Sequence, residues 1–187
     1  MYKRQWDDTE DMHNKLLSDP DVGRYMLWHP TSDLNVTRGN MERFMHMYEN
    51  PYFYRWILEK KDTHELIGLI QMVRLDDETN TSEFAYMLAK EYWNHGYMTE
   101  ALKRLFTFGF EELKLEMIKG DHFIENPASG HVMQKAGMRY TGDIEDTTGN
   151  DKGYKMLSHY EITRDEFYCN RDNEKIKLGK QHLWSGL

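Results

Sequence analysis

Along the chain the spacing of apolar side chains alternates between a helical and an extended period. Asp7 to Ser18 reads as a short acidic helix, closed before Asp19-Pro20 because the residue ahead of a proline is pushed out of helical geometry. Asn35 to Glu49 places Met41, Phe44, Met45 and Tyr48 at helical spacing and predicts an amphipathic helix ended by Asn50-Pro51. Beyond Pro51 the character turns aromatic and β-branched. Tyr52 to Leu58, Glu65 to Leu75 and Ser82 to Leu88 then read as three antiparallel strands, joined by the polar turns Lys60–Thr63 and Asp76–Thr81. The strongest helical pattern, Tyr97 to Leu113, sets Met98, Ala101, Leu102 and Leu105 on one face and Lys103 and Arg104 on the other. Glu116 to Phe123 follows as a strand, and Asn126-Pro127-Ala128-Ser129 opens a helix that ends near Ala136-Gly137. Two last strands, Met138 to Asp143 and Tyr154 to Ile162, flank the turn Asp146–Asn150. Helices against a mixed sheet imply an α/β (α+β) domain. We expect one domain over residues 1–167 and a polar extension, 168–187, whose Ile176, Leu178, Leu183 and Trp184 leave monomer and homodimer both open.

Composition narrows the class. The chain has 187 residues, 32 acidic and 24 basic, for a net charge of −8, and 39% of it is hydrophobic. That length supports one sizeable core. No apolar run approaches the roughly 20 residues of a membrane helix, and Met1–Trp6 has no signal-like apolar stretch, so a cytoplasmic protein without a membrane partner is expected. The acidic balance argues against nucleic acid as a partner. Cys169, the single cysteine, excludes an internal disulfide framework. His64, His122, His131 and His159 fit no ligand spacing, so no metal is expected.

The most informative stretch is Tyr92-Trp93-Asn94-His95-Gly96-Tyr97-Met98-Thr99-Glu100-Ala101, a polar loop running directly into the long helix. A helix start offers unbonded N–H groups and the positive end of a dipole, which suits a diphosphate, and Gly96 lets the ligand approach. Together with Glu83–Leu88 before it, and Glu125–Ser129 followed by Gln134–Met138 after it, this run resembles the GNAT superfamily of acetyl-CoA-dependent N-acetyltransferases. Within that superfamily it is most similar to the ribosomal-protein-alanine acetyltransferase (RimJ/RimL-type) branch. The likeness extends through Ser18–Val22, Met26–Trp28, Ile67-Gly68 and Tyr160–Thr163, and covers roughly residues 1–167. Two positions depart from the family pattern: Met98 replaces a small residue and adds bulk at the cradle, and Asn94 replaces a glycine.

The resemblance implies a GNAT-like acyl-CoA N-acyltransferase fold, with a mixed, mostly antiparallel sheet of about 6–7 strands, and acetyl-CoA as co-substrate. Asn94, His95, Gly96, Tyr97, Met98 and Thr99 would cradle the diphosphate, Asn126 would bond the pantetheine arm, and Lys135 would reach the 3′-phosphate. Tyr86, Met87 and Leu88 would present backbone N–H groups to the thioester, Leu88 foremost. Ser129 is the candidate proton donor to the thiolate, although Asn126 and Pro127 also read simply as a helix start. Glu83 is the first choice to take the amine's proton, with His122, Asp121 and Glu125 as alternatives. The acceptor is a small-molecule or peptide amine: a protein N-terminus, a polyamine or an aminoglycoside. It would meet Trp28 and Phe44 and an acidic rim of Asp33, Glu42, Glu49, Glu145, Asp146 and Asp151 suited to a cation. A non-catalytic acyl-CoA-binding sensor is the alternative.

Overall fold

The structure, a computed structural model, describes residues 8–173, apart from the side chain of Arg74. Ile176, Leu178, Leu183 and Trp184 lie outside the described residues. The chain begins with α1 (Thr9–Met12), which passes into a π-helical turn over His13–Leu17. The Asp19 carboxylate accepts a hydrogen bond from the N–H of Asp21 at 2.7 Å and starts α2 (Pro20–Gly23). Asp33 does the same for α3 (Leu34–Met47), accepting from Asn35 N at 2.8 Å. His13 and Thr37 join the first helical turns to α3 through a buried bond of 2.9 Å.

Six strands follow among the described residues: β1 (Tyr54–Glu59), β2 (Leu66–Asp76), β3 (Thr81–Leu88), β4 (Met117–Phe123), β5 (Arg139–Glu145) and β6 (Met156–Thr163). They lie in the order β1-β2-β3-β4-β6-β5. Every neighbouring pair is antiparallel except β3 and β4, which the crossover through α4 (Tyr97–Thr107) makes parallel. The helical pattern expected over Tyr97 to Leu113 is present, but its last turn, Phe108–Glu112, is π-helical. α5 (Pro127–Ala136) separates β4 from β5. Residues 164–173 are helical. That helix runs across residue 168, where the extension was expected to begin, and Phe167 inserts against Phe110 with ring centroids 5.1 Å apart.

Alternation along the strands divides the side chains between two cores. Ile70, Met72, Phe84 and Ile118 face α4 and α5, where Leu102, Leu105 and Phe106 are fully buried. Ile57 and Leu69 face the opposite way and pack on Met12 and Leu16 from the first helical turns. Burial contributes about 1.5–3 kcal/mol for each such large side chain. At Gly120 on β4 the ring of Phe84 comes so close that an added Cβ would stand 2.4 Å from it. Gly120→Ala should therefore cost about 1–3 kcal/mol by overpacking. For a chain of this size the thermal midpoint should fall by about 2–4 °C for each kcal/mol, and an unchanged melt would show that the ring yields freely.

Candidate active site

The parallel ladder between β3 and β4 is short. Its register runs Thr81↔Met117, Ser82↔Ile118, Glu83↔Lys119 and then stops, although β3 continues to Leu88 and β4 to Phe123. The strands part beyond that point. The backbone groups facing the gap follow from the β2–β3 ladder, where Ala89 N donates to Ile67 O at 2.8 Å. Alternation then turns the N–H of Met87 toward Leu69 on β2, and the N–H groups of Tyr86 and Leu88 toward β4. Met87, expected to offer its N–H to the gap, is corrected on that ground: its amide is directed at β2 and its side chain joins the core under α1. The Leu88 carbonyl accepts from the indole of Trp93 at 2.8 Å, which ties the following loop to the end of β3.

One cavity of about 640 Å³ runs through the gap. Tyr86, Asn126, Ser129 and Met133 line it on the α4/α5 side, and Gln71, Glu83 and Asp121 on the other. On the first side the Tyr86 hydroxyl lies 2.7 Å from Ser129 Oγ and 3.2 Å from the Ser129 carbonyl. Burial pushes the Tyr86 phenol above its ordinary value, and the bond to Ser129 offsets this only partly. The ring therefore stays neutral. Asn126 occupies the cap position of α5, yet its side chain makes no capping bond, which leaves the amide to the cavity it lines. On the second side Asp121 and His159, directly opposite on β4 and β6, share a hydrogen bond that fixes the carboxylate.

The loop leading from β3 into α4 stands beside the gap. Gly96 has φ of 85° and is the N-terminal cap of α4, while Asn94 has φ of 63°. Asparagine is among the few side chains that enter the left-handed region readily, so Asn94 keeps the glycine-like turn. The space where a Cβ of Gly96 would stand has no protein atom within 4 Å. The N–H groups of Tyr97, Met98 and Thr99 lie in the first helical turn, where no helical carbonyl is available to them. His95 Nδ1 donates to the Trp93 carbonyl of the same loop at 2.7 Å, and its ring stacks on Tyr97. Met98 is 4% exposed and packs with Leu102 and Leu105, so its bulk is directed into the core and leaves the cradle open, contrary to expectation. Lys135 is exposed in the last turn of α5 and does not line the cavity.

Two loops meet over the far side of the cavity. The Lys152 ammonium donates to the carbonyls of Gly23 and, at 2.9 Å, Trp28, and Tyr25 meets Tyr154 with ring centroids 5.5 Å apart. Desolvation holds the Lys152 pKa below the usual lysine range. Trp28 and Phe44 both line the cavity. The acidic rim does not. Asp33 caps α3, Asp146 accepts from Thr148 N at 2.9 Å, Asp151 pairs with His29 at 2.8 Å, and none of the six acids lines the cavity. Arg43 and Arg55 line it instead, with Arg55 lying 3.8 Å from the Phe44 ring centroid. Sequence reasoning missed the Tyr86 hydroxyl, Lys152, His159 and both arginines; all but Arg43 meet partners on other segments, and Arg43 reaches the cavity only through the placement of α3. A second, open groove of about 1360 Å³ between β1 and the outer flank of α4 lies away from the gap.

Comparison with known proteins agrees with this geometry. Residues 3–139 match the family described as Acetyltransferase (GNAT) domain. The uncharacterized N-acetyltransferase YoaA of Bacillus subtilis is 28% identical over 125 residues, 67% of this chain and 71% of that protein. YkkB of the same organism is 31% identical over 141 residues, 73% of this chain and 79% of that one. A GNAT-family acetyltransferase from Bacillus anthracis superposes with a TM-score of 0.76 at 26% identity, over 87% of this chain and 93% of that one. Spermidine N-acetyltransferase from Vibrio cholerae, solved with CoA and spermine, shares the fold with a TM-score of 0.74 at 19% identity, over 88% of this chain and 95% of that one. Because the family match runs from before α1 to the start of β5 and takes in the whole β3–β4 gap, the protein belongs to the GNAT family of acetyltransferases.

Proposed function

We propose that the protein transfers the acetyl group of acetyl-CoA to a primary amine by direct attack, with both substrates bound at once. The observation that carries this reading is the cavity passing through the β3–β4 gap, lined from both faces of the sheet, with the helix-start loop tied to the end of β3 beside it. Two substrates entering from opposite faces meet there. The residues present suit coenzyme A: the N–H groups of the Asn94–Thr99 loop face a diphosphate, and Asn126 offers an amide to the pantetheine arm. The motif likeness favours the RimJ/RimL-type branch, whereas the spermidine acetyltransferases among the relatives favour a polyamine acceptor.

Transfer requires a neutral amine, a polarised carbonyl and a departing thiolate. Glu83 on the acceptor face accepts one ammonium proton, directly or through water. The amine nitrogen then bonds the acetyl carbon as the carbon–sulfur bond breaks. The N–H groups of Leu88 and Tyr86, aimed at the gap, hold the charge that develops on the oxygen. The Tyr86 and Ser129 hydroxyls share a hydrogen bond, and with Tyr86 as its donor the serine O–H is left to donate to the sulfur. A thiolate has a pKa near about 8.5, far below that of a buried phenol, so this pair stabilises the thiolate by hydrogen bonding, and the proton it finally takes comes from the amine or from water. The burial of Met98 and the left-handed backbone of Asn94 support the transfer reading over a non-catalytic acyl-CoA sensor, the alternative motivated by those two residues.

Calorimetric titration with acetyl-CoA should show micromolar binding in the wild type and none in Gly96→Asp, where a carboxylate and a Cβ enter the cradle; equal affinity in the two would sink the cradle assignment. Ser129→Ala should lower kcat by about 10²-fold with acetyl-CoA affinity retained, and Tyr86→Phe should lower it less. Full activity in both would remove the hydroxyl pair from the reaction. Lys152→Ala releases the roof and should raise the acceptor KM more than it changes kcat, as steady-state kinetics would read.

A further inference from the structure

The ionised side chains lining the cavity are divided by position. Glu83 on β3 and Asp121 on β4 flank the gap where the acetyl group must pass, and Asp121 is held there by His159. Arg43 on α3 and Arg55 on β1 line the cavity away from the gap, both near one aromatic ring: Arg55 lies 3.8 Å and Arg43 5.3 Å from the Phe44 centroid. Arg55 is also oriented across the sheet by its bond to Gln71 on β2. Two carboxylates and two guanidiniums thus line different parts of one cavity. Apolar side chains line the same cavity beside the polar Gln71, and among them Leu27 and Val36 remain 60% and 48% exposed.

From this arrangement we infer that the acceptor is a zwitterion, with a primary amine at the Glu83–Asp121 end and a carboxylate at the Arg43–Arg55 end, joined by a short apolar chain. The inference rests on the acetyl-transfer reading above and names its acceptor class. A polyamine would bring its second cation against two guanidiniums, while a carboxylate gains charge-assisted bonds there. The spacing follows from the strands. Arg55, Gln71 and Ala85 stand side by side on β1, β2 and β3, and the Arg55 side chain already leans onto β2. The two charges of the ligand therefore lie between one and two strand spacings apart, about 5–10 Å. An α-amino acid is too short for this span, and an ω-amino acid or the amino terminus of a short peptide fits it.

Three six-carbon probes separate the cases: 6-aminohexanoate, hexylamine and 1,6-diaminohexane, each titrated calorimetrically into CoA-saturated protein and each assayed with acetyl-CoA. The zwitterion should bind and be acetylated at least about tenfold better than either of the others. Arg43→Gln and Arg55→Gln should each collapse the ratio of kcat/KM for 6-aminohexanoate over hexylamine toward unity. Arg43 is exposed on its helix, so that variant remains informative if loss of Arg55 disturbs the packing on Phe44. Preference for the diamine, a ratio that survives both substitutions, or binding of none of the probes overturns the inference. Selective binding of 6-aminohexanoate without acetylation would uphold the zwitterion site and refute the transfer reading, and preferential acetylation of the diamine would do the reverse.

Discussion

Everything proposed for this protein depends on one interrupted ladder. Parallel strands in a sheet normally stay paired, because each unpaired buried amide costs free energy comparable to a lost hydrogen bond. Here pairing ends at Glu83↔Lys119 while both strands run on. The backbone N–H groups of Tyr86 and Leu88 that a continuous sheet would consume are directed at the gap instead, and Tyr86 lines the cavity there. The same interruption opens a passage between the two faces of the sheet, so the fixed donors of the backbone and the meeting point of two substrates arise from a single feature.

The gap needs support on both sides. Toward α4 and α5, Phe84 packs over Gly120 and stacks on Tyr86, and the larger core of Leu102, Leu105 and Phe106 fixes both helices against β3 and β4. Toward the amino-terminal helices, Ile57, Leu69 and Met87 seat the first helical turns. β4 is held from outside by β6, with which it pairs along its whole length from Met117 to Phe123. The strands are thus tied to separate partners, β3 to β2 and β4 to β6, and the space between them persists without a ladder of its own.

Charge is used differently at the two ends of the passage. Around Ser129 the groups are half-buried hydroxyls, and in the proposed reaction a developing thiolate would meet dipoles already held in place. On the acceptor face the groups are ionised, but each has a neighbour: Asp121 has His159, Arg55 has Gln71 and the Phe44 ring. Those neighbours fix the side chains in place, which is what selectivity for one arrangement of ligand charges requires.

The sequence by itself determined the element order, because hydrophobic period is a local property: each strand and helix read from the pattern lies within a few residues of its observed bounds. It also determined the loop and helix start at Trp93 through Thr99, one contiguous segment whose turn at Gly96 caps α4. Only the tertiary structure decided which amides of β3 face the gap, since that depends on pairing parity with β2, and Met87 falls on the wrong side of it. The bulk of Met98 was likewise misplaced by a motif that gives residue type without direction. The acidic rim failed for a further physical reason: charge counted along loops ignores that carboxylates there are used to cap helices and turns, as Asp33 and Asp146 are. The Tyr86–Ser129, Asp121–His159 and Arg55–Gln71 contacts join segments far apart in the chain or on separate strands, and folding alone brings them together.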